Sequence, residues 1–525
     1  MKVLVSDNLS PSGIEILKNA GLEVDVKTGM KPEELKACIG EYHGLIIRSA
    51  TKVTSEIIEA AKNLKVIGRA GSGLDNVDRA AATKKGIVVM NTPGGNTITT
   101  AEHTIALMVS MARQIPQAAM SVKAGKWEKK KFMGVELFNK TLGVVGIGNI
   151  GAQVAKRMQA FGMNIITFDP FLNEDRAKTM GVEKVDLREL FRRSDFITIH
   201  TPLTPETKGM INKESIKIMK TGVRIVNCAR GGIINEKDLY DAIVEGKVAG
   251  AALDVFEKEP PENNPLVALD GVICTPHLGA STKEAQENVA VAVAEQIVDY
   301  LVHGTIRNAV NFPSIPADQI TKLAPFIKLA EKLGEFASQI FEGGVTEITI
   351  EYQGDARDIN TAPVTIAAIK GFLSPILEET VNFVNATFIA KERGIEVKEI
   401  KSTDEGDYQS LLGIRLRAKD KTNYFAGTLL SKKDPRIVMV DDFKVEIVPE
   451  GELLFMYNND KPGVIGNIGT LLGKNDINIA RMHFGRATPG GMAISVVSID
   501  AHASPQIIDK IKKLPNILSV KQISL

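Results

Sequence analysis

The sequence predicts an α/β protein with two lobes built on parallel sheets, followed by an α+β module and a small C-terminal βαββαβ unit. Three observations lead there. Short apolar runs alternate with helical stretches from Val3 to about Val89, and again from Thr141 onward. Pro313 and Pro316 then interrupt all periodicity in NAVNFPSIPAD, and beyond them apolar residues recur with the two-residue alternation of antiparallel strands. A chain of 525 residues is also too long for one core, so three or four domains are expected.

In the first lobe the strands are KVLVSD, LEVDV, GLIIR, KVIGRA and GIVVM, separated by helical stretches such as PSGIEILKNA and TSEIIEAAKN. Strand, helix and strand in repetition force a parallel sheet, because each crossover returns the chain to the same edge. The second lobe opens with TLGVVGIGNIG and continues through NIITFD, DFITIH, RIVNCAR, AGAALD and GVICTP. A long helix, Ser281 to Gly304, leaves it and is expected to return to the first lobe. After the Pro-rich linker come a helix over Thr321 to Phe341, a strand in VTEITIEY, a largely helical stretch from Thr361 to about Arg393, and antiparallel strands in LLGIRLRA and TNYFAGTLL. The last unit reads as strand ELLFMYN, helix PGVIGNIGTLLGKN, strands INIARMHFGR and GMAISVVSID, helix SPQIIDKIKKL and strand ILSVKQISL, a ferredoxin-like order. The expected domains are 1–96 with 285–312, 97–284, 317–448 and 452–525.

Composition narrows the function classes. Hydrophobic residues at 44% and charged residues at 24% describe an ordinary globular chain, and a net charge of +1 gives no general reason to bind nucleic acid. Cys38, Cys228 and Cys274 are too few and too scattered for a disulfide framework or a cysteine-rich zinc cluster, and no metal site is expected. No apolar run suits a signal peptide or a membrane span, so a cytoplasmic protein without a membrane partner is expected.

The clearest chemical motif is GxGxxG at Gly146, Gly148 and Gly151, after the apolar strand LGVV and before the helix AQVAKRMQAFG. The first glycine permits the tight turn, the second lets a pyrophosphate approach the backbone, and the third lets helix and strand pack closely. Asp169 ends the next strand, where a carboxylate accepts hydrogen bonds from ribose hydroxyls and repels a 2′-phosphate. This is a doubly wound, Rossmann-type arrangement that selects NAD over NADP. Arg230, Glu259 and His277 each stand where a strand's C-terminal end meets a loop, the edge at which such sheets bind ligands. Singly, each would be read as a surface ion, a loop acid and a packed histidine.

Taken in order, VVGIGNIG, HTPLTPETKGMIN, NCARGGIINE, ALDVFEKEP and TPHLGAST make the segment from Met1 to about Phe312 resemble the D-isomer-specific 2-hydroxyacid dehydrogenase family. The resemblance implies a Rossmann lobe inserted into the first, substrate-binding lobe. It also implies that Arg230 binds the substrate carboxylate, that His277 is the acid/base and that Glu259 is its partner. Imidazole suits proton removal near neutral pH, a carboxylate fixes its tautomer, and a guanidinium grips a carboxylate at two points. Asn149 and Ile150 in the glycine turn, with Thr201, Cys228, Asp254, His277 and Gly279, are implied to line the cofactor site. The narrower resemblance is to long-form members that oxidise 3-phosphoglycerate at the start of serine synthesis. It implies that Arg48 and Arg69 hold substrate phosphate and carboxylate, with Lys129 of GKWEKKKF adding charge; Trp127 beside it, a large aromatic, is itself expected to anchor packing. The C-terminal portion then corresponds to an intervening domain and an ACT domain, with Asn458, Asp460 and Asn478 at the positions of a serine-binding motif in a homodimer or homotetramer. Two alternatives stay open on sequence: a glyoxylate or hydroxypyruvate reductase of the same family, and a non-enzymatic NAD-sensing corepressor.

Overall fold

The computed structural model describes residues 1–313, 317–377, 381–403, 407–419 and 421–525, and only the backbone of Ala317, Asp318 and Ile320. Pro316 and the centre of the expected linker therefore lie outside the described residues. The first sheet is wholly parallel, in the order Glu23–Val26, Lys2–Val5, Gly44–Ile47, Val66–Arg69, Val88–Asn91. Its face is covered by the long helix Lys283–His303, which packs on the helix Pro11–Asn19 and on strand Val66–Arg69. The approach is close: a Cβ added at Gly68 would stand 2.7 Å from Val293 Cγ2, and one at Gly13 would stand 2.8 Å from the Ala290 carbonyl oxygen. The chain thus builds one lobe, crosses to a second, and returns to complete the first.

The second sheet has seven parallel strands in the order Val272–Cys274, Val248–Leu253, Val223–Asn227, Phe196–Ile199, Thr141–Val145, Asn164–Phe168, Glu183–Lys184. Strand order reverses on either side of Thr141–Val145, the switch point where doubly wound sheets open a crevice. Register does the rest. Val145 pairs with both Phe168 and Ile199, Asn227 with Ile199 and Leu253, and Leu253 with Cys274. The residues one step further, Gly146, Asp169, His200, Cys228, Asp254 and Thr275, therefore emerge along a single edge.

The third sheet runs Glu396–Ser402, Glu347–Gly354, Ser410–Arg417, Thr422–Leu430, Asp434–Val440, Phe443–Ile447, with only the first pair parallel. Helices Ala317–Ile340 and Thr361–Leu373 lie against one another so closely that a Cβ at Gly371 would meet the Glu331 carbonyl oxygen at 2.0 Å. The stretch expected to be helical to about Arg393 breaks after Leu373 and resumes at Ala386–Glu392. Pro375 disfavours continuation, and the Asn382 side chain accepts the backbone N–H groups of Val384 and Asn385 to make a turn.

The C-terminal sheet is antiparallel in the order Ile479–Arg486, Met492–Ile499, Glu452–Asn459, Ile517–Ser524, the ferredoxin-like arrangement. One face is covered by its helices Val464–Gly473 and Pro505–Lys512 around Leu454, Met456, Val497 and Val520. The other face, with Leu453, Phe455, Ile494, Val496 and Ile523, shares a continuous core with Phe336 and Phe425 of the preceding module. Phe336 meets Phe425 and Phe455 edge-on at 6.1 and 6.0 Å between centroids. That module in turn touches the first lobe: Val384 is buried in the first lobe's core, and the Asn382 amide donates to the Gly86 carbonyl at 2.9 Å. Among the described residues no helix is long and apolar enough to cross a membrane.

Candidate active site

The glycine turn has the shape that the motif requires. Gly146 has φ +86°, and a Cβ there would press on Thr201 Cγ2 at 2.7 Å and on the His200 carbonyl oxygen at 2.8 Å. At Gly151 a Cβ would stand 2.1 Å from the Gly146 carbonyl oxygen, so only glycine lets the helix start so near the strand. Gly148 has nothing within 4 Å of that position and precedes helix Asn149–Ala160. The first turn of that helix, from Asn149, thus begins beside open space at Gly148, at the helix's positive end. Asp169 accepts the Ile147 N–H on one carboxylate oxygen and the Phe171 N–H on the other, each at 2.9 Å. Each oxygen keeps acceptor capacity for a ribose hydroxyl. The Thr201 hydroxyl is buried without a hydrogen-bond partner among the described residues. An open glycine cradle, a tethered acid and an unspent hydroxyl fit a dinucleotide.

Further along the edge, His277 and Glu259 come together: Nδ1 of the imidazole lies 2.8 Å from a Glu259 carboxylate oxygen. The backbone at His277 is left-handed, φ +57°, a conformation that costs a non-glycine residue on the order of 1 kcal/mol. Asp254 holds it. The Asp254 carbonyl accepts the His277 N–H at 3.0 Å, and its carboxylate accepts the N–H groups of Leu278 and Gly279 at 2.7 and 2.8 Å. The same carboxylate takes the Thr275 hydroxyl at 2.6 Å and meets His103 Nε2 at 3.1 Å. Burial pushes the Asp254 pKa up, but hydrogen bonds from His103, Thr275 and the Leu278 N–H outweigh it and leave the group below its ordinary value. His103, Thr275 and Thr100, whose hydroxyl donates to the Gly279 carbonyl at 2.8 Å, were not expected from sequence. They sit on a helix and a strand end with no motif spacing.

Cys228 follows its strand into the core against helix Thr97–Arg113, so its side chain is buried. Burial pushes its thiol up to about 12. Any contribution of Cys228 to the cofactor site is therefore through its backbone. A pocket of 490 Å³ lined by Phe256, Glu259, Cys274, Thr275 and His277 opens beside the histidine–glutamate pair.

Arg230 sits in the next loop of the edge, where its Nε donates to Asp75 at 3.0 Å and its Nη1 to the Ala229 carbonyl at 2.7 Å. Asp75 belongs to the first lobe, so the pair spans the cleft. Arg69 ends strand Val66–Arg69 on that opposite side, and its Nε is buried without a partner among the described residues. Burial first, then the charges of Arg230 and Arg48, hold the Arg69 pKa below its ordinary value against the opposing pull of Asp75 and Asp7. Arg48, Arg69 and Arg230 thus share one electrostatic neighbourhood. Lys129 does not join their contacts; it is exposed on the loop after helix Ile115–Lys123, which the Ser121–Glu128 hydrogen bond ties back to that helix.

Trp127 is a correction. Expected to anchor packing, it is 84% exposed on the loop that follows helix Ile115–Lys123. Ile115, Met120, Val122 and Met133, in the same stretch of chain, are exposed as well.

In the C-terminal sheet, Asn458 is buried and accepts the Ser495 hydroxyl at 2.7 Å. Asp460 accepts from Arg486 and the Gly490 N–H, both at 3.0 Å, and Asn478 donates to Asp500 at 2.7 Å. Asn459 pairs with Met492, whereas Ile479 and Glu452 both pair with Ile499. Asn478 therefore lies at the opposite end of the sheet from Asn458 and Asp460, roughly 20 Å away at strand spacing. One chain does not bring the three together.

Comparison with known proteins places this architecture. Residues 105–279 match the D-isomer specific 2-hydroxyacid dehydrogenase NAD binding domain, 322–441 the D-3-phosphoglycerate dehydrogenase intervening domain, and 453–516 the ACT domain. The D-3-phosphoglycerate dehydrogenases of Archaeoglobus fulgidus and Methanocaldococcus jannaschii are each 48% identical over the full length of both chains. That of Bacillus subtilis is 44% identical over all of this chain and 99% of its own. Among solved structures, the TT0316 protein of Thermus thermophilus is 36% identical with a TM-score of 0.55, covering 59% of this chain and all of its own. A D-lactate dehydrogenase from Aquifex aeolicus, complexed with NAD and lactic acid, is 28% identical with a TM-score of 0.54, covering 60% of this chain and all of its own. The second lobe is an NAD-binding domain, the C-terminal unit is an ACT domain, and the chain belongs to the D-3-phosphoglycerate dehydrogenase family within the D-isomer-specific 2-hydroxyacid dehydrogenases.

Proposed function

We propose that the protein oxidises 3-phospho-D-glycerate to 3-phosphohydroxypyruvate, the first step of serine synthesis, with NAD as the oxidant. The observation that carries this reading is the His277–Glu259 pair on the same sheet edge as Arg230, whose charge shares one neighbourhood with Arg69 and Arg48 across the cleft. Arg230 grips the substrate carboxylate, while Arg69 and Arg48 supply charge for the phosphate, which the unspent Arg69 Nε favours. With Nδ1 turned to Glu259, the Nε2 lone pair of His277 faces the substrate and accepts the hydroxyl proton; Glu259 stabilises the imidazolium that forms. Bound NAD supplies the acceptor for the hydride leaving C2, so the alcohol loses two electrons and one proton passes to His277. The Asp254 network keeps the imidazole in place, and Thr201 and Gly279 line the nicotinamide side of the cleft.

The domain division that fits this reading is 1–96 with 285–312 for substrate, 97–284 for NAD, 317–448 for the intervening domain and 452–525 for the ACT domain. Two chains pair through the exposed apolar face around Met120 and Trp127, which brings Lys129 of one chain toward the cleft of the other. Serine binds where Asn458 and Asp460 of one ACT domain meet Asn478 of a second copy, and it lowers turnover by favouring one arrangement of the lobes.

Initial rates with NAD or NADP and a panel of D-2-hydroxy acids test the proposal. Strong preference for 3-phosphoglycerate with NAD is expected. Comparable rates with glycerate or lactate, or with NADP, would contradict it.

A further inference from the structure

The ion pair between Arg230 and Asp75 joins the two lobes across the cleft. Asp75 lies on the turn after strand Val66–Arg69, and that turn is firmly placed. The Asn76 amide donates to the carbonyls of Arg48 and Thr51, each at 2.6 Å, and the Val53 N–H donates to the Asn76 carbonyl at 2.8 Å. On the other lobe the Asn227 amide fixes the Arg230 carbonyl at 2.9 Å. Between these anchors the guanidinium is held at three places. Its Nε donates to Asp75, its Nη1 donates to the Ala229 carbonyl, and its Nη2 lies over Gly73, where an added Cβ would be 2.1 Å away. The Asp75 side chain is 71% exposed. An acid so exposed gains little from an ion pair as a source of stability. What its carboxylate does is fix one donor of a flexible cation and stand, with Asp7, as an anion among Arg48, Arg69 and Arg230.

We propose that Asp75 is a positioning residue for the dehydrogenase reaction: it holds Arg230 in the attitude that grips the substrate carboxylate, and does so only when the lobes are drawn together. Arg230 thereby becomes a sensor of lobe closure, since its second anchor arrives with the substrate-binding lobe. The carboxylate also separates the Arg230 charge from those of Arg48 and Arg69 before substrate supplies its own anions. This rests on the reading of Arg230 given above.

The test uses the full chain and a double-mutant cycle with 3-phospho-D-glycerate and NAD, together with calorimetric titration of NAD. Asp75→Asn should lower kcat/KM about tenfold, the loss expected for one charge-assisted hydrogen bond, mostly through KM and with NAD affinity unchanged. Asp75→Glu should recover most of that loss, because the exposed site has room for one more methylene. In an Arg230→Gln background, Asp75→Asn should cost almost nothing further, since the group through which it acts is gone. Wild-type kinetics for Asp75→Asn, tighter substrate binding, or an equal tenfold loss in both backgrounds would each overturn the proposal. If Arg230→Gln alone kept normal kinetics, the carboxylate clamp itself would fail; a loss there beside a normal Asp75→Asn enzyme would sink only the role of Asp75.

Discussion

The cleft between the first two lobes and the two ends of the ACT sheet treat their polar groups differently. At the cleft, Arg69 Nε and the Thr201 hydroxyl are buried with no partner among the described residues. In the ACT domain, Asn458, Asp460 and Asn478 are all engaged, with Ser495, Arg486 and Asp500. A buried donor left unpaired costs roughly 1 to 3 kcal/mol, so the two groups, one on each side of the cleft, are placed for a ligand that completes them. Groups already satisfied must exchange one partner for another, which yields little net affinity. The comparison teaches that the cleft brings its acid/base pair and its arginines together within one chain, whereas Asn458, Asp460 and Asn478 meet only if a second copy brings Asn478 near.

The sharpest break in that comparison is His277→Ala, which removes the base while leaving the glycine cradle intact. Turnover should fall by about 10² to 10⁴ with NAD affinity kept, as stopped-flow rates and calorimetry would record. Retained turnover would move the chemistry elsewhere. Next in size is Asp169→Ala. Its carboxylate bridges Ile147 and Phe171 as well as facing the ribose site, so NAD should bind about tenfold more weakly and the preference over NADP should narrow. Titration with both cofactors measures this, and an unchanged preference would dissociate Asp169 from ribose recognition. The smallest effect is expected in the satisfied region. Asn478→Ala should leave basal activity unaltered and weaken inhibition by serine a few-fold, read from inhibition curves on the full chain. A full-length enzyme indifferent to millimolar serine would leave the ACT domain joining subunits only.

How much of this was legible in the sequence depended on the range over which each feature is encoded. The glycine turn and Asp169 could be read because a strand, a turn and a helix start are written in adjacent residues, and register then carries the pattern along the edge. The ferredoxin-like order of the C-terminal unit was legible for the same reason: its apolar runs alternate cleanly. Strand Glu396–Ser402 was not, since EVKEIKS is mostly exposed at the sheet edge and carries no buried alternation. The His277–Glu259 contact came from family resemblance rather than spacing, because a loop separates the two residues and its path fixes their distance. Nothing in the residues around Asp75 singles it out. Its partner is 155 positions away on another lobe, and only the placement of one lobe against the other makes the pair. Trp127 failed for a related reason: among the described residues its ring is left 84% exposed.

The most direct measurement compares kcat/KM for 3-phospho-D-glycerate and for unphosphorylated D-glycerate in the wild type and in Arg69→Gln. The Arg69 guanidinium is the buried, unspent donor on the substrate side of the cleft, so its loss should cost the phosphorylated substrate about tenfold or more while scarcely changing the weak activity on glycerate. Equal losses on both substrates, or none, would contradict the claim that this cleft reads a phosphate.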